Sequence, residues 1–223
     1  MMPDETLSHT AVEELLSYNS RLLERHKRLR TFRLFTDGTL EDDDKRNVMF
    51  RCVQVFARHF QTMLFARQLH CEDPTYRSLF MRHLREEAGH DEVLSKQRGR
   101  ADELWDPIME GSAAWFIRCM SALDNIDKMA VMHLVLESSG AYMGSVCGPA
   151  MRRFNGSQYF ELHDEVDQSH VAMAIEPLRR QSVETIARVR TLIEQAWRVL
   201  DTWIDRVAAL VLGEIPSSLY AAI

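Results

Sequence analysis

The sequence predicts a single all-α domain of seven helices, residues 1–223, and three observations carry that prediction. Of 223 residues, 46% are apolar and 27% charged, the balance of a chain that builds one soluble core. Apolar side chains recur at helical spacing over long segments, and no alternating run of β-branched residues reads as a strand. The breaks between those segments are short and carry capping chemistry, which places sequential helices side by side in a bundle.

The first helix is expected over about 9–29, where Val12, Leu15, Leu16, Leu22 and Leu23 form an apolar stripe. The acidic turn TDGTLEDDD follows, its DDD run reading as the solvated start of a second helix over about 41–70. That helix carries Val48, Phe50, Val53, Phe56, Phe60, Met63 and Leu64. Asp73-Pro74 joins an N-cap to a first-turn proline and opens a helix expected to run to about Gly99. Asp106-Pro107 repeats the signal for a shorter helix to about Ala122, and Asp124 is read as the cap of another ending at Gly148-Pro149. Asn155-Gly156-Ser157 restarts the chain into a helix that Pro177 ends or kinks, and Ser182 begins the last, about 183–212.

Composition also excludes. A net charge of −6 offers no basic surface for phosphates, so nucleic acid is not an expected partner. The longest apolar runs, such as VAALVLG, fall far short of the roughly 20 residues that span a bilayer, so no membrane partner is expected. The start MMPDETLSHT is polar and acidic, unlike a secretory signal, and a cytoplasmic location is expected. Cys52, Cys71, Cys119 and Cys147 are scattered with no C-x-x-C pair, as buried thiols in a reducing compartment would be.

The chemistry concentrates in three segments. In HDEVDQSH, His163, Asp167 and His170 are spaced by four and three residues, so a helix projects them within an arc of roughly 60°. In HLREEAGHDEV, Glu87 and His90 form E-x-x-H, a pairing with which bundles aim a carboxylate and an imidazole at one metal. Glu86, four residues before His90, is an equally placed neighbour. Gly89 costs about 1 kcal/mol against Ala inside a helix, which hints at close packing or room for a ligand. Glu137 follows the apolar run MAVMHLVL and must be buried. There it has to be paired with an arginine such as Arg118 or Arg152, protonated, or bound to a metal. His133 lies one turn earlier on the same face, as a pocket wall or a support for the ligands.

Together Glu87, His90, Glu137, His163, Asp167 and His170 offer three carboxylates and three imidazoles from three helices, a ligand set for two metal ions. Mixed nitrogen and oxygen donors suit iron, and the same donors would accept zinc or manganese. A ferritin-like arrangement needs a fourth carboxylate, yet no Asp or Glu occurs between Lys45 and Cys71 to supply it.

The segment YFELHDEVDQSH resembles the last ligand helix of the haem-oxygenase-like di-iron oxidases and oxygenases. The resemblance implies a seven-helix haem-oxygenase-like bundle in which Glu87 and His90, Glu137, and the triplet His163, Asp167 and His170 hold two iron ions. Glu86 can take the place of Glu87 there, because the spacing of the first pair varies in that family. Gln54 and Gln61 stand where some members add a glutamate. The implied function is oxidation of a small molecule with O2 as co-substrate: N-oxygenation of an amino-acid-derived amine, or oxidative C–C cleavage of an amino acid or fatty acid, in specialised metabolism. An external electron donor and a homodimer are compatible with it. Phe60, Met132, Met143, His133, Tyr142 and Tyr159 are the pocket-lining candidates. Two other classes remain open: metal-free thiaminase-like hydrolases or cofactor-free oxidases of the same fold, and a non-catalytic metal-binding bundle.

Overall fold

The structure, a computed structural model, describes residues 3–98, 104–154, 159–160, 169–216 and 219–222. Helices α1 (Pro3–His26), α3 (Asp43–Leu69), α6 (Pro107–Ala122) and α10 (Val183–Val211) pack against one another as the frame of an all-α bundle. The short α2 (Arg30–Arg33) and a 3₁₀ turn (Thr39–Glu41) lead into α3. Helices α4 (Pro74–Glu87) and α5 (His90–Gln97) follow it. A two-residue antiparallel pairing of Leu104–Trp105 with Ala221–Ala222 is the β-structure among the described residues.

The caps behave as their chemistry dictates. Asp42, Asp73 and Asp106 each accept two backbone N–H bonds from the first turns of α3, α4 and α6, and the Ser182 hydroxyl accepts one from Thr185 at the start of α10. Asp106 is fully buried because its second oxygen also takes Nε and Nη2 of Arg206 on α10, at 3.0 and 2.7 Å. Asp124 is the exception: it occupies the N-cap position of α7 (Asn125–Met129) but makes no capping bond, and pairs with Arg188 instead.

Two expected helices are built differently. The segment 73–99 is not one helix. At Gly89 the backbone turns to φ 87°, a left-handed conformation that costs glycine nothing, so α4 stops at Glu87 and α5 starts at His90. The glycine serves the chain direction rather than close packing, and the two residues of E-x-x-H fall on either side of the break.

The segment 124–148 holds more than an α-helix. Between α7 and α8 (Glu137–Met151), Ala130–Leu136 form a π-helix with i→i+5 bonds, all seven side chains buried. Asn19 of α1 donates from Nδ2 to the Leu134 carbonyl in this wide turn (2.8 Å) and accepts from Trp197 Nε1 of α10 (2.8 Å), locking three elements together in the interior. Helix α8 also runs through Pro149 to Met151, beyond the expected end. Pro177 sits in the first turn of a separate short α9 (Ile175–Arg179), where its missing N–H has no partner to lose.

Candidate metal centre

Three elements bring their side chains to one buried place. Helix α4 ends with Glu87 pointing inward, 1% exposed, while its neighbour Glu86 lies at the margin, 42% exposed. The π-helix hands over to α8 at Glu137, 3% exposed. His170, fully buried, comes from helical residues 169–172.

His170 Nδ1 lies 3.3 Å from Glu87 Oε1 and 3.3 Å from Glu137 Oε2, and its Nε2 is 2.9 Å from Glu86 Oε2. His90 Nδ1 is 3.0 Å from Glu87 Oε2. So three of the six predicted ligands, Glu87, Glu137 and His170, meet at His170 Nδ1, and a fourth, His90, joins them through Glu87. His163 and Asp167 lie outside the described residues.

Two residues that the motif search passed over complete the surroundings. His83, on α4 four residues before Glu87, places Nε2 2.8 Å from Glu137 Oε1, yet the two are not aligned as a hydrogen bond. Arg67 of α3 is fully buried over the Phe80 ring, its guanidinium carbon 4.4 Å from the centroid. It donates to His83 Nδ1 (2.7 Å) and to His133 Nε2 (3.1 Å). Of the three possibilities that burial left to Glu137, an arginine is present behind it, but it is Arg67 acting through imidazoles rather than Arg118 or Arg152.

The charges respond to this packing. Burial pushes the Arg67 guanidinium down to about 9, so it still carries its proton at neutral pH. Burial lowers His83 and lowers His133 further, with His83 and Arg67 adding to the effect at His133, and neutral rings are what a donor-only guanidinium needs. Burial would also lower His170, but its hydrogen bond to Glu137 and the charges of Glu137 and Glu87 outweigh it and raise the imidazole. Burial would raise Glu137, yet His83 and His170 hold it below the usual carboxylate range. His90 is raised by its bond to Glu87.

Several of these donors suit a cation. Two ligands bound side by side on one ion at about 2.0–2.2 Å stand about 3 Å apart, which is the separation of the Glu87, Glu137 and His170 atoms. In the triads His83, Glu87, His170 and His83, His133, Glu137 the ligand atoms all lie within 4.8 Å of one another. A neutral imidazole has one lone pair, however, and those of His83 Nδ1 and His133 Nε2 are spent on Arg67, leaving N–H at the other nitrogen of each ring. His83 and His133 therefore support the centre, and Glu87, Glu137, His170 and His90 are the groups with donors to give. Glu86 accepts from His170 Nε2, the hydrogen-bond arrangement that holds a metal-bound imidazole in orientation.

Glu87 and Glu137 also form part of the wall of a cavity whose other lining is almost entirely apolar, including Met49, Val53, Phe56, Phe60, Met143, Phe160 and Trp203. Of the expected pocket residues, Phe60, Met143 and Tyr159 line it. Tyr142 does not; its ring packs edge-on against Phe32 at 4.8 Å, with Lys27 over its face. Met132 is buried in the core, and His133 faces Arg67. Gln54 and Gln61 are used by the backbone: Gln54 donates to the Asp91 carbonyl, and Gln61 donates to the Glu87 carbonyl and accepts from Gly89, holding the α4–α5 break. Among the described residues no helix is long and apolar enough to cross a membrane.

No protein-family model matches the chain. An uncharacterized protein of Rickettsia prowazekii (strain Madrid E) is 24% identical over 199 residues, covering 89% of this chain and 95% of the relative. Among solved structures, a TenA homolog from Pseudomonas syringae pv. tomato superposes with TM-score 0.69 at 13% identity, over 88% of this chain and 91% of that one. A domain of unknown function with a haem-oxygenase-like fold, from Shewanella denitrificans, does so with TM-score 0.71 at 14% identity, over 95% and 98%. The chain has a haem-oxygenase-like all-α fold.

Proposed function

We propose that the chain is an O2-dependent non-haem iron oxidase or oxygenase, with two iron ions as cofactor, acting on a small molecule in the apolar cavity. The observation that carries this reading is the meeting of two buried carboxylates, Glu87 and Glu137, on His170 Nδ1 at 3.3 Å, at the wall of that cavity. Iron held there would supply the reduction of dioxygen and the oxidising power. Glu87, Glu137, His90 and His170 would hold it, with His163 and Asp167 joining by the family resemblance.

The remaining residues position and shield. Glu86 accepts the His170 Nε2 proton and so turns Nδ1 toward the carboxylates. His83 lies 2.8 Å from the second oxygen of Glu137, and Arg67 fixes His83 and His133 by its hydrogen bonds. Phe56, Phe60, Phe160 and Trp203 keep bulk water from the space where the substrate would lie.

A second reading, a metal-free enzyme of the thiaminase-like kind, draws on one observation: the Arg67 guanidinium, and a His170 imidazole raised by its carboxylate neighbours, already lie near Glu87 and Glu137 with no metal present. Against it, Cys52, the cysteine on the cavity wall, is no nucleophile, since burial pushes its thiol up to about 12.

Anaerobic titration with ferrous iron, metal counting and stopped-flow mixing with oxygen separate the two. The oxidase reading expects about two irons per chain and a transient visible absorption, and expects Glu137→Ala and His170→Ala to lose iron. Full iron content in both variants rejects the ligand assignment, and a wild-type chain that takes up none leaves the metal-free reading.

A further inference from the structure

The cavity has a direction, and its position along two helices defines it. On α3 the lining runs from Met49 to Phe60, a rise of about 16 Å. Along α8 it runs from Leu136 through Gly140 to Gly144, set on one face by their spacing of four, over about 12 Å. The Phe60 and Leu136 ends coincide. Gln61, next to Phe60, donates to the Glu87 carbonyl at 2.8 Å, the Phe60 ring lies 6.3 Å from that of His83, and Glu137 begins α8 directly after Leu136. The opposite ends coincide too, at Phe160. Its ring lies 6.3 Å from that of Phe50, the neighbour of Met49, and a methyl at Gly148, one turn beyond Gly144, would stand 3.9 Å from Phe160 Cβ.

The two carboxylates of the described lining, Glu87 and Glu137, therefore stand together at one end. Phe160, 1% exposed, stands at the other, its ring 6.4 Å from that of Phe35 and edge-on to Tyr159 at 5.4 Å. Between the ends the wall is chiefly Val53, Phe56, Met143 and Trp203, and the hydroxyls of Thr31 and Ser139 are engaged by the Ile204 carbonyl and by His26. A molecule matched to this space has a polar end, attracted by the carboxylates or by the ions they would hold. The rest of it is apolar, and each methylene buried along the wall is worth about fourfold in affinity.

We infer that the substrate is an elongated amphiphile bound lengthwise, its polar end at Glu87 and Glu137 and its apolar body reaching toward Phe160, which sets the length accepted. The inference rests on the proposed function in taking this cavity as the substrate site. It places oxidation at the polar end, and it makes Phe160 a residue that determines specificity without touching the reacting atoms.

Straight-chain primary alcohols from butanol to dodecanol test it by calorimetry or ligand-observed NMR. They are uncharged, and the series is measured on EDTA-treated protein, so the result stands apart from metal loading. Affinity is expected to rise about fourfold per methylene and then to level off within the series. Phe160→Ala should move the levelling to a longer alcohol, and Phe160→Leu, which keeps more of the apolar contact, should move it less. Manganous ion then reports direction: paramagnetic broadening should be strongest at the carbinol protons and weakest at the terminal methyl. Affinity that ignores chain length or climbs unabated to dodecanol, a limit unmoved in folded Phe160→Ala protein, or broadening as strong at the methyl as at the carbinol each overturns the inference. A chain that takes up no manganese counts against the metal centre instead, and the alcohol series still decides the length limit.

Discussion

On one flank of α8, Glu137 meets the imidazoles of His83 and His170 with the carboxylate of Glu87 close by; on the other, Ser139 meets a single imidazole held by a single carboxylate. The Ser139 chain is closed: both ring nitrogens of His26 have a partner, and it ends at Asp201, 18% exposed and in reach of Arg25 at 2.9 Å. The Glu137 cluster is crowded with acceptors, buried throughout, and includes a 2.8 Å contact that is not a hydrogen bond. A buried polar network that satisfies itself fixes structure, whereas one with surplus acceptors asks for a further positive charge. The contrast separates scaffold from site within one helix turn.

The sharpest way to break the comparison is to remove the cation already present at the crowded flank. Arg67→Met leaves Glu137 without its buried counter-charge and should cost about 3–5 kcal/mol in urea unfolding. Part of that loss should return when ferrous or manganous ion is added under anaerobic conditions. A variant as stable as the wild type would mean that Arg67 merely fills space.

At the closed flank the effect should be smaller. Asp201→Asn keeps an acceptor for His26 Nδ1 and removes a partly exposed charge, so about 1 kcal/mol is expected, with no response to added metal. A metal-dependent change there would join the two flanks into one network and undo the distinction.

A third test concerns the apolar wall between them. The Cys52 thiol is pushed up to about 12 from an ordinary value of 9.0. A folded pKa above the unfolded one means that unfolding releases a proton, so this contribution is complete below pH 9 and fades as the pH climbs toward 12. Melting curves at pH 8 and pH 10.5 should therefore show a smaller alkaline loss for Cys52→Ala than for the wild type, and equal losses would place the thiol in contact with water.

Much of this was legible in the sequence, for reasons particular to each residue. Glu137 stood out because a carboxylate cannot follow a stretch that is apolar but for His133 without burial, and Asp73 and Asp106 because a cap before proline has one simple structural meaning. His83 could have been found by the same i,i+4 argument that drew attention to His163 and Asp167, since it stands four residues before Glu87. Arg67 left a fainter signal, falling one turn after Met63 and Leu64 on the apolar stripe of α3. The break at Gly89 was hidden because a glycine within helical periodicity can mean close packing, a kink or a left-handed turn, and only the backbone direction decides. The π-helix was hidden more thoroughly: in a run that is apolar but for His133, a change of period leaves almost no polar residue to mark it.

That wide turn has one more consequence. Were Ala130–Leu136 to tighten to ordinary α geometry with every residue kept, the seven residues would wind about one residue further around the axis. Everything after it would then swing by about 100° relative to what precedes it, taking Glu137 away from His170 and Ser139 away from His26 in the same motion. The two flanks thus share a single mechanical setting, and the width of that turn, as much as residue identity, aims them at their partners.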